Sequence, residues 1–271
     1  MEQKRLIREC VHATKGDSLK FHFHDDFEII YVKKGSARIF INEGQYLLKR
    51  GSIVFIGRLE EHSVEILSKD YERYYIIPRS ELLEQVVADP RLISIFRSRP
   101  LNFRYVLNLA ECSEELDIYF AKIAEEFDNY RKYSDQMIVA QLMQILISVY
   151  RNSPEEFNFS NKMVYPEIYR IQQYIENNHM NDIKISDIAS EHFISIHYLS
   201  RCFKALTGYS PKQYLTNIRI ARAKTLLGYS SISVKDIAVK CGFNDINNFI
   251  RTFKEVTGVT PYKYRTTESN T

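Results

Sequence analysis

Apolar and polar positions alternate in short runs through the first hundred residues. Phe27–Val32, Ala37–Ile41, Ser52–Ile56 and Tyr71–Ile77 are rich in β-branched and aromatic residues, the composition of half-buried strands. Lys33-Lys34-Gly35, Asn42-Glu43-Gly44 and Lys49-Arg50-Gly51 stand between or beside them as turns. Closely spaced strands with glycine turns predict a small antiparallel barrel or sandwich over residues 1–111.

The period changes near Cys112. Leu116, Tyr119, Ile123, Phe127 and Tyr130 recur at spacings of three and four, one helix face. A second helix, Ser134 to Arg151, carries two apolar stripes. Ile138, Leu142, Ile145 and Val149 form one; Val139, Met143, Leu146 and Tyr150 form the other. A helix apolar on two sides must bury both. Either both pack within the chain, or one meets a second subunit; residues 112–151 are taken as a dimerisation segment. Residues 152–165 are polar and read as a linker, and Pro166 suits the first turn of a new helix.

The C-terminal part, 166–271, contains a repeat. Ser195 to Tyr214 and Asp245 to Tyr264 are identical at eight of twenty positions. Ser186-Asp187-Ile188-Ala189 matches Lys235-Asp236-Ile237-Ala238 upstream, with a one-residue shift in the turn. Two copies of one supersecondary unit are indicated. Each has the build of a helix-turn-helix: Ser186 and Ser233 as caps of a short helix, then Ser195 or Asp245 as cap of the next. Ile196, Leu199, Phe203 and Leu206 give the second helix an apolar face, with Ile246, Phe249, Phe253 and Val256 as counterparts. Geometry then assigns His197, Ser200, Arg201 and Lys204 to the outer face, and Asn247, Ile250, Arg251 and Lys254 in the second copy. Arg can bond guanine and Asn adenine in a major groove, and Arg or Lys can hold phosphate. Between the copies, Pro211 to Leu227 reads as one helix with Tyr214, Ile218, Ala221 and Leu226 inward. Arg219, Arg222 and Lys224 lie on it, each able to pair internally or touch phosphate.

Charge supports this division. Residues 166–271 hold 14 Lys+Arg against 9 Asp+Glu, a net of +5. The remainder, 37 − 14 = 23 against 34 − 9 = 25, has a net of −2. A basic C-terminal part suits nucleic acid. The charged start lacks an apolar signal segment, and Ile138 to Tyr150 is too short to span a bilayer. Cys10, Cys112, Cys202 and Cys241 form no CxxC pair. A cytoplasmic protein without disulfides or membrane partner is expected.

The repeat resembles the DNA-binding domain of AraC/XylS bacterial regulators. Ile185 to Ala189, Tyr198 to Lys204, Thr207-Gly208, Arg219-Ile220, Ala223, Leu226-Leu227, Ile237-Ala238, Gly242-Phe243, Phe249, Arg251, Phe253-Lys254, Gly258, Pro261 and Tyr264-Arg265 carry the likeness. The resemblance implies two helix-turn-helix units in successive major grooves. His197, Ser200 and Arg201, with Asn247, Ile250 and Arg251, match its base-reading positions; Ile250 departs from the polar residue often found there.

The first half resembles the cupin-like sensor domain of the same family. Gly16, His22, His24, Glu28 and Gly35 follow a cupin motif, and on one strand positions 22, 24, 26 and 28 would share a face. His62 falls where a later cupin strand brings its last ligand. Three His and a Glu suit Fe, Mn, Ni or Zn. The second motif departs from the cupin pattern: Gly57 and Leu59 stand in place of its proline and second glycine, and Ile66 in place of its asparagine. No resident metal or cofactor is therefore expected; His22, His24, Glu28 and His62 are expected to line an effector pocket.

The resemblance thus implies an α+β chain of two domains: a cupin-like β-barrel with two following helices, then an all-α DNA-binding domain. Its function would be effector-responsive transcription regulation by sequence-specific DNA binding, without enzymatic activity. Promoter DNA, a small molecule, a second copy and RNA polymerase are the expected partners. The effector is open; the 19 tyrosines suit a sugar or an ordinary core. Two other readings use the same residues: a metal-dependent cupin enzyme fused to a DNA-binding module, and a ligand-independent dimeric regulator.

Overall fold

The computed structural model describes residues 5–14, 19–42, 44–97, 103–157 and 166–268. Gly16, Glu43 and positions 158–165 of the expected linker lie outside them. The chain divides into two compact units, Met1–Asn161 and Lys162–Thr271.

The first unit pairs two antiparallel sheets. β1 (Ile7–Ala13), β8 (Glu72–Pro78), β3 (Glu28–Lys34), β6 (Ser52–Ile56) and β9 (Val106–Asn108) form one, in the order β1-β8-β3-β6-β9. β2 (Leu19–His22), β7 (His62–Ile66), β4 (Ser36–Ile41) and β5 (Gly44–Lys49) form the other, in the order β2-β7-β4-β5. Ile30, Val32, Val54 and Ile56 of the first sheet meet Ala37, Ile39, Ile41, Leu48 and Val64 of the second in one buried cluster. The outer face of the larger sheet carries Ile29, Tyr31, Ile53, Phe55, Tyr74 and Ile76, packed with the helices in a second cluster. β3 and β6 are buried throughout because both faces are covered. That is why their runs read as continuous apolar stretches.

The three predicted glycine turns join β3 to β4, β4 to β5 and β5 to β6. Gly35 sits at φ +74, where an added Cβ would lie 2.8 Å from the Tyr71 Cα. No other residue type fits that turn without a shift.

α1 (Ser80–Val86) and α2 (Pro90–Arg97) follow the sheets, then α3 (Ser113–Asp128) and α4 (Ser134–Asn152). Phe27 stacks on Phe96 of α2 with centroids 4.5 Å apart, and Tyr31 on Phe120 of α3 at 4.8 Å. The first stripe of α4 is fully buried. Of the second, Leu146 is buried, while Val139, Met143 and Tyr150 are partly buried against the same core. Pro154–Glu156, read as linker, forms a 3-10 turn. Its Glu156 receives the Arg104 backbone N–H at 2.9 Å, and Phe157 joins the core.

The second unit is helical: α5 (Pro166–Asn178), α6 (Ile185–Glu191), α7 (Ile196–Thr207), α8 (Pro211–Tyr229), α9 (Val234–Lys240), α10 (Ile246–Thr257) and α11 (Pro261–Glu268). α8 contacts α5, α7, α9, α10 and α11. Ser210 opens it with a capping box completed by Gln213. No helix among the described residues is long and apolar enough to cross a membrane, and all four cysteines are free.

Candidate functional site

Two places carry functional chemistry. The first is the repeated pair of helices. Ser195 caps α7 by accepting from the Tyr198 N–H, and Asp245 caps α10 by accepting from the Asn248 N–H. Both helices end on a left-handed glycine, Gly208 at φ +80 and Gly258 at φ +79. The Thr207 and Thr257 hydroxyls donate to the Phe203 and Phe253 carbonyls, each at 2.8 Å. Leu199, Cys202 and Phe203 bury one face of α7, and Phe249 and Phe253 that of α10. Ile196 and Leu206, assigned inward by periodicity, remain exposed.

The outer faces follow. His197, Arg201, Lys204, Asn247, Arg251 and Lys254 are exposed and Ser200 is half-buried. Ile250 is also half-buried and packs against the core of the second copy, which limits its reach outward. Arg251 Nη2 donates to Asn248 Oδ1 at 3.1 Å. Arg219 is not available to phosphate: its Nε donates to the His179 carbonyl and its Nη2 to the Asn181 carbonyl, each at 2.8 Å.

The turns before these helices have equivalent geometry. His192 and Cys241 close α6 and α9, and Phe193 (φ +53) and Gly242 (φ +83) follow in the left-handed region. The next N–H bonds back to the Ala189 or Ala238 carbonyl at 3.0 and 2.9 Å. Phe193 is 96% exposed. Ser233 caps α9 as expected, whereas Ser186 does not cap α6. Lys184 occupies that position, and Ser186 Oγ donates to Asp187 within the first turn.

The second place lies where the two sheets meet. His22, His24, Glu28 and His62 bring one donor atom each within 4.8 Å of all the others. Strand alternation is not the reason. β2 ends at His22 and β3 begins at Glu28, in different sheets, and the segment between them carries His24. Asp26 leaves the expected face, accepting from Arg8 Nη1 at 2.9 Å and the Ser80 N–H at 3.0 Å. His62 pairs across the smaller sheet with His22.

Glu28 Oε2 is shared. His24 Nε2 lies 2.9 Å from it and His62 Nε2 3.0 Å, the latter outside good hydrogen-bond geometry. The opposite nitrogens are tied down: His24 Nδ1 donates to the Asp26 carbonyl and His62 Nδ1 to the Glu60 carbonyl, each at 2.8 Å. Each ring thus turns its remaining nitrogen toward the Glu28 carboxylate. Burial works against the Glu28 charge, but His62 and His24 overcome it and hold the carboxyl well below the usual carboxylate range. Burial likewise opposes a charged His62, and the Glu28 carboxylate overcomes it and raises that imidazole. The donor set also fits a divalent transition metal. The rings are oriented by carbonyls as metal-bound imidazoles usually are, and a metal would take them in their neutral form.

Comparison with known proteins bears on both places. A family profile described as AraC-like ligand binding domain matches residues 7–146, and a helix-turn-helix domain profile matches residues 188–267. The HTH-type transcriptional activator RhaS of Mannheimia succiniciproducens is 26% identical, over 90% of this chain and 88% of its own. RhaS of Escherichia coli O1:K1 is 25% identical, over 86% and 82%. A crystal structure of ToxT from Vibrio cholerae aligns with TM-score 0.62 and 18% identity over 95% of this chain and 96% of that one, a likeness of fold. With both profiles matched in order along one chain, this protein belongs to the AraC family of transcription regulators, a DNA-binding activator family whose members pair a ligand-binding domain with helix-turn-helix motifs.

Proposed function

We propose that this chain is a cytoplasmic, non-enzymatic activator that reads one promoter site with α7 and α10 and responds to a small molecule between its two sheets. The observation that carries the DNA reading is the repeat: two capped helices with exposed Arg and Lys at equivalent places, Arg201/Lys204 and Arg251/Lys254. His197, Ser200 and Asn247 accompany them at the base-reading positions. Lys204 and Lys254, in the last turns, are suited to phosphate. Ile250, held by the core, contributes at most an apolar contact to a thymine methyl.

The effector pocket is proposed at His22, His24, Glu28 and His62, which join strands of both sheets and offer donors and acceptors in a buried place. An effector works by binding one arrangement of the protein more tightly than another. The acting species is proposed to be a homodimer, formed through α3 and α4 where Ile118 and Met137 remain exposed, and to contact RNA polymerase at the promoter. In the enzyme reading, His22, His24, Glu28 and His62 would hold a divalent metal, which would supply Lewis-acid activation of a bound oxygen.

Mobility-shift assays with promoter fragments test the regulator reading. Binding to one fragment, changed by a small molecule and lost in Arg201→Ala/Arg251→Ala, is expected. Equal affinity for every fragment, unchanged in the double variant, would reject it.

A further inference from the structure

β8 divides its side chains between two cores. Tyr74 and Ile76 join the helix-covered core, and Tyr75 joins the core between the sheets. Arg73 therefore shares the face of Tyr75. Its register partner on β3, Val32, is buried between the sheets as well. The Arg73 residue is only 4% exposed.

A guanidinium has five donors and a permanent charge, and burial is costly unless both are answered. Here Nε and Nη1 are buried without a hydrogen-bond partner. Among the described residues, no carboxylate forms an ion pair with Arg73. Its neighbours are rings: the guanidinium carbon lies 5.7 Å from the Tyr71 centroid and 5.5 Å from that of Tyr75. Cation–π attraction offsets part of the desolvation and satisfies none of the donors. The buried Tyr71 hydroxyl lies near enough to feel the Arg73 guanidinium but outside good hydrogen-bond geometry with it. Glu9, an acid on the neighbouring strand, already takes the Tyr75 hydroxyl on Oε1 at 2.5 Å.

We propose that Arg73 and Tyr71 form an anion-binding subsite between the sheets, and that the effector is a small organic carboxylate. This rests on the reading above that the N-terminal unit binds an effector. One guanidinium balances one carboxylate. A phosphate would bring more charge and more oxygens than one cation and one phenol can answer. Ile30, Val32, Val54 and Ile56 are buried on the same side of the sheet and would meet an apolar body behind the carboxylate.

The test is thermal denaturation of the full chain with benzoate and hexanoate, beside benzamide, hexanamide and inorganic phosphate, each at about 10 mM. A carboxylate should raise the midpoint by a few degrees through mass action, about 2–5 °C, and its amide should not. Arg73→Met should keep or raise the midpoint of the ligand-free chain, since it removes an unanswered buried charge. The same variant should bind the carboxylate about 10–100-fold more weakly. Arg73→Lys and Tyr71→Phe should each keep a reduced shift. A large fall in the ligand-free midpoint of Arg73→Met, or its failure to fold, would mean that the fold itself answers the guanidinium and would overturn the proposal. So would a shift by phosphate alone, or no shift with any carboxylate. Amides that shift the wild type and Arg73→Met alike would leave an effector pocket but remove its anion site. No shift with any probe, together with promoter binding insensitive to all of them, would count against the effector reading too.

Discussion

Phe193 and Gly242 occupy the same left-handed position in two copies of one turn, which makes each a control for the other. At Gly242, an added Cβ would lie 2.7 Å from the His179 carbonyl oxygen and 3.0 Å from that of Met180. The left-handed backbone costs a non-glycine residue about 1–2 kcal/mol. Forcing a methyl against backbone adds about 1–3 kcal/mol. Gly242→Ala should therefore destabilise its turn by about 2–5 kcal/mol, the low end if the carbonyls yield. Phe193 bears the same backbone cost, but its side chain is 96% exposed, so little burial is lost on removing it. Phe193→Gly should recover about 1–2 kcal/mol of strain and return about 0.5–1 kcal/mol to unfolded-chain entropy. The net is a small stabilisation. Hydrogen exchange followed by mass spectrometry on the full chain reads both locally. Peptides spanning α9 and α10 should exchange at least about 30-fold faster in Gly242→Ala, since each 1.4 kcal/mol is tenfold. Peptides spanning α6 and α7 should exchange at the same rate or more slowly in Phe193→Gly. Faster exchange there by more than about threefold would show that Phe193 is held by contacts its exposure does not reveal. It would refute the equivalence of the two turns.

Three further outcomes are expected. Arg201→Ala should weaken binding to the cognate site by about 1–3 kcal/mol with smaller loss on random DNA, whereas Lys204→Ala should weaken both alike; identical losses in a mobility-shift series would undo that division. Elemental analysis of purified protein should find no stoichiometric transition metal, because Gly57, Leu59 and Ile66 break the second cupin motif that would support the ligands; one metal per chain, lost in His24→Ala, would favour the enzyme reading. Sedimentation of the full chain at tens of micromolar should show a dimer, broken by Ile118→Glu/Met137→Glu; a wild-type monomer would remove α3 and α4 as an interface.

The sequence made the second unit legible because a repeat reports geometry twice. Equal residues at equal places in α7 and α10 fixed cap, buried face and outer face together. α6 was the weak point: Ser186 stands one residue inside a helix that begins at Ile185, since a serine near a helix start resembles a cap whether or not it bonds. The first unit was legible only where strands are covered on both faces. β1, β2, β5, β7 and β9 lie outside the predicted runs: β1, β2, β5 and β9 are edge strands and β7 has only five residues, and such runs carry little periodic signal. α1 and α2 are short, and α2 sits within a stretch whose apolar residues fit either period. Motif spacing picks out the four clustered residues, but the supposed reason, one strand face, fails at Asp26. What gathers them is a crossing between sheets, and no local period encodes that. Arg73 was missed because a lone arginine in a strand looks like an outward residue until register places it opposite Val32.

α8 also constrains the DNA that the second unit can read. It is one continuous helix of 19 residues, about 28 Å at 1.5 Å per residue. Ile218 and Tyr214 are buried near its first half, while Ile220, Ala223 and Leu227 belong to the core of the second copy. Both helix-turn-helix units thus lean on a single rod with no joint. Adding one base pair between the two recognised segments turns the second by about 34–36° around the duplex, and the rod offers no hinge to follow it. A promoter site for this chain is therefore expected to behave as one unbroken word whose internal spacing is spelled as strictly as its letters.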